Sequence, residues 1–243
     1  GEPVVLVHGL GGSSNTFQPL MPVLRNFTVC RPDMPGSGRS PVPIEPQSIA
    51  AFAEAIVNGL KEIGVANAHF GGHSLGTLVC QHIAVHMPEC VRSLVLFGAL
   101  TEPPEAARNG LTGRAATARG GGMDVIADQI IANTLSPSTH HDKPAAVAFV
   151  RESLMRQPPE GYAKSCEALS KARAFPVERI AIPVLLVAGD TDPVAPPSMA
   201  TALKDRMPNA KMVLLERSGH WIPIEKPEES SRLIAEFLQK QLH

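Results

Sequence analysis

The sequence predicts an α/β fold in which a mostly parallel sheet is covered by helices on both faces. Short apolar, β-branched runs alternate with helical patterns along the 243 residues, and most runs give way to glycine or an acidic residue before the next helix. A long central stretch lacks any strand pattern, which adds the expectation of an inserted helical cap.

The strand-like runs are residues 4–7, 28–30, 68–70, 93–97, 184–188 and 212–215. Each is apolar without strict alternation, as suits a strand buried on both faces. Between the second and third, Ser48 opens "SIAAFAEAIVNGLKEIG", which places Ile49, Phe52, Ile56 and Leu60 on one face and stops at Gly64. After the third run comes the apolar helix "LGTLVCQHIAVHM". From Thr101 to about Pro176 helical segments at 123–135, 145–156 and 162–171 are separated by Gly120-Gly121-Gly122, Ser136-Pro137 and Pro158-Pro159. The division expected is therefore a core of residues 1–100 and 177–243 and a cap of residues 101–176, the alternative being ordinary core helices. The final helix, "PEESSRLIAEFLQKQL", has Pro227 in its first turn and two glutamates beside the positive end of its dipole.

Composition narrows the partners. With 44% hydrophobic and 19% charged residues the chain suits one globular domain with a substantial core. There are 22 Lys and Arg against 23 Asp and Glu, a net charge of −1, with no extended basic run, so neither nucleic acid nor an anionic membrane surface is expected as a partner. The expected partner is a small molecule. Cys30, Cys80, Cys90 and Cys166 form no C-x-x-C pair and read as buried thiols in a reducing compartment. Residues 1–7 read as a strand rather than a charged leader, and no segment approaches about eighteen apolar residues, so a cytoplasmic location without a membrane span is expected.

Gly72-His73-Ser74-Leu75-Gly76 lies where a strand ends and a helix begins. A turn that sharp strains the backbone of Ser74 and leaves no room for side chains beside it, so glycines flank it. It also aims helix N-terminal N–H groups at whatever the hydroxyl attacks. A serine hydroxyl needs a base, and the base needs a partner that fixes its tautomer. Later strand ends supply both types: Asp190-Thr191-Asp192-Pro193 follows "PVLLVAG", and Ser218-Gly219-His220-Trp221 follows "KMVLLE". Asp190, Asp192 and, more remotely, Glu102 are the candidate acids. His82 and His86 have the i, i+4 spacing of metal ligands, but Ile83 stands where H-E-x-x-H requires glutamate. The glycines of "HGLGGS" fail the dinucleotide pattern, so neither metal nor cofactor is expected.

These motifs together resemble the α/β-hydrolase superfamily along nearly the whole chain. "LVHGLGGSS" is similar to its oxyanion loop, "RPDMPGSGRSP" to its D-x-P-G-x-G-x-S turn, "GGHSLG" to its nucleophile elbow, "GDTDPVAP" to its acid loop and "SGHWIPIEKPEE" to its histidine loop. The resemblance implies Ser74 as nucleophile, His220 as general base and acid, Asp192 as orienting carboxylate, and the N–H groups of Leu10 and Leu75 as oxyanion hole. It implies that His8 shapes the oxyanion loop and Asp33 pins its own turn. Serine at position 74 argues against the epoxide and haloalkane hydrolases of this fold, which use aspartate. "ARGGGMDVIADQII" and "AVAFVRESLMRQPPEGYAKSCEAL" resemble 3-oxoadipate enol-lactonases and related small esterases. The implied activity is hydrolysis of a small carboxylic ester or lactone, with the enol-lactone as leading substrate. A carbon–carbon bond hydrolase acting on a vinylogous diketone, or a slow-turnover ligand receptor, would use the same fold. A carboxylate-bearing substrate would call for an arginine; Arg119, Arg151 and Arg156 are the cap candidates, with Tyr162 and Trp221 as further pocket candidates.

Overall fold

A computed structural model describes residues 1–242. Six parallel strands form one sheet: β1 (Pro3–Val7), β2 (Thr28–Cys30), β3 (Ala68–His73), β4 (Val91–Phe97), β5 (Val184–Gly189) and β6 (Ala210–Leu215), in the order β2-β1-β3-β4-β5-β6. Every pairing is parallel, so all carboxyl ends lie along one edge.

Alternate residues of the strands feed two separate cores. Val5 and Val7 of β1 pack with α1 (Ile49–Glu62) and α2 (Leu75–His86) on one face. Val4 and Leu6 face the opposite way, toward Phe17 and Leu20 of a 3-10 segment (Ser14–Val23) and the terminal helix. Ser48 caps α1 by accepting from Ala51 N–H at 3.0 Å.

Between β4 and β5 the described residues form no strand but five α-helices, α3 (Glu105–Arg119), α4 (Met123–Thr134), α5 (Pro137–Asp142), α6 (Pro144–Met155) and α7 (Pro159–Ser170), and a 3-10 turn (Val177–Arg179). Past β5, α8 (Pro197–Arg206) joins the α1 and α2 face, and after β6 come α9 (Ile222–Glu225) and α10 (Pro227–Gln239), which docks Leu233, Ile234 and Leu238 on the other face. No helix among the described residues is long and apolar enough to cross a membrane.

The structure departs from the sequence reading in three places. β3 continues past Phe70 through two glycines to His73, because Gly71 sits opposite Leu6, where a Cβ would come within 2.6 Å of the Leu6 side chain. α3 and the short α5 are extra helices. The buried stripe of α3 is only Leu111, Ala115 and Ala118, too small to give a clear period, and it is stabilised by extensive packing on α7. α5 starts at the Ser136-Pro137 pair read as a break, because Ser136 accepts from Thr139 N–H at 3.1 Å and Pro137 occupies the first turn.

Candidate active site

The elbow between β3 and α2 holds Ser74 at φ 52 and ψ −118, a left-handed conformation that a residue with a Cβ adopts only under constraint. The constraint is visible on both sides. A Cβ on Gly72 would stand 2.7 Å from the Gly76 carbonyl oxygen, and one on Gly76 would run into the Val7 carbonyl of β1. Ser74 N–H donates to the Phe97 carbonyl at 3.1 Å, which ties the elbow to the end of β4.

The strand order then brings the other two groups to the serine. His220 Nε2 lies 2.7 Å from Ser74 Oγ, and His220 Nδ1 lies 2.8 Å from Asp192 Oδ2. Asp192 is acceptor only, so Nδ1–H donates to it and Nε2 is left to accept from the serine hydroxyl. The second Asp192 oxygen accepts from the N–H groups of Val194 and Ala195 at 2.8 and 2.9 Å. Burial pushes the Asp192 carboxyl upward, but the facing His220 and these donors outweigh it and hold the group below the usual carboxylate range. Asp190 accepts instead from Ser218 N–H at 3.0 Å, and Glu102 binds Arg108 and Arg173 at the start of α3, so neither reaches His220.

Close packing holds this chain in place. Gly98 has φ +58, and a Cβ there would press on His220 Nδ1 at 3.3 Å and Asp192 Oδ2 at 3.4 Å. His73 donates from Nε2 to the His220 carbonyl at 2.9 Å, and its ring lies 5.2 Å from that of His220 and 5.4 Å from that of Trp221. Burial and the neighbouring His220 push the His73 pKa down to about 3, so its imidazole is neutral.

Glu225 of α9 is fully buried and gathers four donors. Its Oε2 accepts from Gly219 N–H at 3.1 Å, Ser136 N–H at 2.8 Å and the Thr139 hydroxyl at 2.8 Å, while Oε1 accepts from Trp221 N–H at 2.9 Å. Gly219 and Trp221 flank His220, and Ser136 and Thr139 belong to the inserted helices. His220 N–H itself donates to the Thr134 carbonyl at 2.8 Å.

At the end of β1, His8 donates from Nδ1 to the Gly9 carbonyl at 2.8 Å and accepts Met34 N–H on Nε2 at 3.0 Å, which fixes the loop against the elbow. Gly9 lies so close that a Cβ would be 2.8 Å from Ser74 Cβ. Asp33 accepts from the N–H groups of Ser14 and Arg39 at 2.6 and 3.0 Å, bracing the turn beyond. The N–H groups of Leu10 and Leu75 donate to no group of the chain among the described residues. From the other side, Ser153 of α6 and Gln157 just past its end donate to the carbonyls of Gly11 and Gly12 at 2.9 to 3.2 Å.

Ser74 and His220 open onto a cavity of about 410 Å³, walled by Leu10, Leu111, Ile130, Leu169, Met199 and Trp221 among others. Of the sequence-predicted pocket residues, only Trp221 lines it. Arg119 lies on the outer surface, bound to Glu160 at 2.7 Å and Glu167 at 2.5 Å; Arg151 pairs with Asp128 at 2.8 Å and Arg156 with Glu152 at 3.8 Å. These three are corrected to exposed ion pairs, since none of them is among the residues that line the cavity. Tyr162 is also corrected: it is buried behind the wall, beside Gly11, and its hydroxyl has no hydrogen-bond partner. The arginine that does line the cavity is Arg114, on the helix whose weak period hid it. No sequence motif marks a role for Gly98, and His73 and Glu225 lie inside the elbow and histidine-loop motifs, Glu225 five residues after His220. His82 and His86 stack on each other 4.2 Å apart and against Phe175.

Residues 2–227 match the family model described as the alpha/beta hydrolase fold. The chain belongs to that family. As an α/β-hydrolase it is 29% identical to 3-oxoadipate enol-lactonase 2 of Acinetobacter baylyi over 215 residues, 88% of this chain and 79% of that one. It is 30% identical to a pimeloyl-[acyl-carrier protein] methyl ester esterase of Neisseria meningitidis, over 98% of this chain and 93% of that one. Among solved structures, a thermophilic esterase from Thermogutta terrifontis, with malate bound, superposes with a TM-score of 0.95 at 26% identity, covering 99% of this chain and 90% of that one.

Proposed function

We propose that this α/β-hydrolase cleaves a small carboxylic ester or lactone, with Ser74 as nucleophile, His220 as general base and acid, and Asp192 as the orienting carboxylate. The observation that carries the reading is the continuous Asp192–His220–Ser74 hydrogen-bond chain, whose serine opens onto an apolar cavity. His220 Nε2 takes the Ser74 proton as Oγ bonds to the substrate carbonyl carbon, and the carbonyl electron pair moves onto oxygen. In this reading the N–H groups of Leu10 and Leu75 receive that oxyanion. Collapse expels the alkoxide, protonated by His220, and leaves an acyl-serine. Water, deprotonated by His220, then attacks the acyl carbon; the second collapse returns the proton to Ser74 and releases the carboxylic acid. Asp192 holds the ring in the tautomer this needs and faces the imidazolium formed at each step.

Residues 101–176 act in this reading as a cap that closes the cavity from above and keeps bulk water from the acyl-serine. The similarity to an enol-lactonase and a methyl ester esterase supports the ester or lactone bond as the target, and 3-oxoadipate enol-lactone remains the leading named substrate. The test is hydrolysis of short-chain p-nitrophenyl esters and of that enol-lactone by the wild type and by Ser74→Ala. Turnover by the wild type and a loss of about 1,000-fold or more in the variant is expected. Faster turnover of a vinylogous diketone than of every ester and lactone would replace the reading with carbon–carbon bond hydrolysis, and tight ligand binding with negligible turnover would replace it with a receptor.

A further inference from the structure

Resting on the ester or lactone reading, we propose that Arg114 is a carboxylate-binding residue, so that the preferred substrates are esters or lactones that carry a free carboxylate at the end remote from the scissile bond. Three observations on the inserted helices lead there. Among the described residues, Arg114 is the only permanently charged one lining the cavity that Ser74 and His220 open onto, and no Asp or Glu lines it. Every other arginine of residues 101–176 meets a carboxylate: Arg108 and Arg173 at Glu102, Arg119 at Glu160 and Glu167, Arg151 at Asp128, and Arg156 at Glu152. Arg114 has no ion pair among the described residues, although it is half-buried, and the polar side chain beside it is the neutral phenol of Tyr162.

The geometry of α3 explains the position. Ala107, Gly110, Leu111 and Arg114 form one helical stripe, and all four line the cavity. Arg114 therefore stands about one turn beyond Leu111 on a stripe that is otherwise apolar. Beside it lies the buried Tyr162 hydroxyl, which carries no charge to balance the guanidinium.

A guanidinium partly withdrawn from water into apolar surroundings is costly without a counter-charge. The fork of a guanidinium matches the two oxygens of one carboxylate. A phosphate, with more oxygens and more charge, would find a single arginine here rather than a cluster of donors. The substrate thus supplies the missing partner, and its binding energy is gained only when the remote carboxylate is present.

The experiment compares a half-ester with its neutral control. For the monomethyl and dimethyl esters of a short aliphatic dicarboxylic acid, kcat/KM is measured for the wild type, Arg114→Ala and Arg114→Lys. The expected wild-type preference for the half-ester falls by about 10- to 100-fold in Arg114→Ala, chiefly through KM, as loss of one charge-assisted pair requires. Hydrolysis of the diester changes by less than about threefold, and Arg114→Lys recovers part of the preference. Binding of adipate, followed calorimetrically, is expected for the wild type and not for Arg114→Ala, and this readout stands even if neither ester turns over. An equal loss on both esters, an unchanged preference, inorganic phosphate binding as tightly as adipate, or no adipate binding to the wild type would each overturn the proposal. Failure of the ester reading shows separately, as diester turnover that is absent or persists in Ser74→Ala.

Discussion

His73 connects its own burial to the placement of His220. Its ring is shut away from water, donates once to the His220 carbonyl and leaves Nδ1 without a partner. In the folded chain it stays neutral down to about pH 3, whereas in the unfolded chain it takes up a proton near pH 6.5. Between those values the unfolded state holds the extra proton, so the stability His73 contributes is complete above pH 6.5 and is lost as the pH falls. The expected outcome is that wild-type unfolding free energy from urea melts falls more steeply from pH 6 to pH 4 than that of His73→Asn, by about 1.4 kcal/mol per pH unit. Equal slopes would show that the ring gains a proton without unfolding. The serine, histidine and aspartate that the structure brings together and the elbow glycines were legible at this scale because chemistry and backbone sterics restrict such positions to few residue types. Arg114 was not, because nothing local to "LTGRAAT" distinguishes an arginine facing a cavity from one facing solvent. Which carboxylate partners an arginine is a tertiary fact: Glu160 and Glu167 lie 41 and 48 residues beyond Arg119.

At the scale of elements, strands were easier to read than helices. A strand buried on both faces announces itself by its own composition, whereas α3 shows its inner face only through Leu111, Ala115 and Ala118 and depends on α7 to complete it. The loop carrying His220 depends on a partner element in the same way. Glu225 on α9 binds the N–H groups on either side of His220 and, through Ser136 and Thr139, the start of α5. Replacing it by alanine would leave those donors buried without an acceptor, and each costs roughly 1–3 kcal/mol. Glu225→Ala is therefore expected to lose at least ~2 kcal/mol of stability. At a temperature where the variant is still folded, it is expected to lose about 10- to 100-fold in kcat as the imidazole drifts from Ser74. Thermal melts and kcat for a neutral ester check both parts, and a stability loss with unchanged kcat would confine Glu225 to folding.

For the whole molecule, the question is whether residues 101–176 behave as a separate body. The α1 and α2 core runs without a break into Leu111, Ala115, Ile126, Ile130, Leu154 and Leu169 of the insertion, and polar ties add to it at Thr134, Lys143 and Lys164. Shared burial of this kind couples the two parts into one cooperative unit. Trp221, the single tryptophan, is 2% exposed where the histidine loop meets the cavity, so its fluorescence reports that junction. Its urea transition is expected to coincide with the loss of helix followed by far-UV circular dichroism. An earlier fluorescence transition would show the insertion lifting away first.

Ser153 and Gln157 give that union a last consequence. The inserted helices both shape the pocket and, through these two side chains, clamp the carbonyls of Gly11 and Gly12 next to Leu10. For anyone recombining parts among relatives, specificity and rate are consequently not separate modules. A transplanted insertion lacking those two amide and hydroxyl donors would bring its pocket along but leave the host's glycine loop unclamped, and the chimera would recognise the new ester while turning it over poorly.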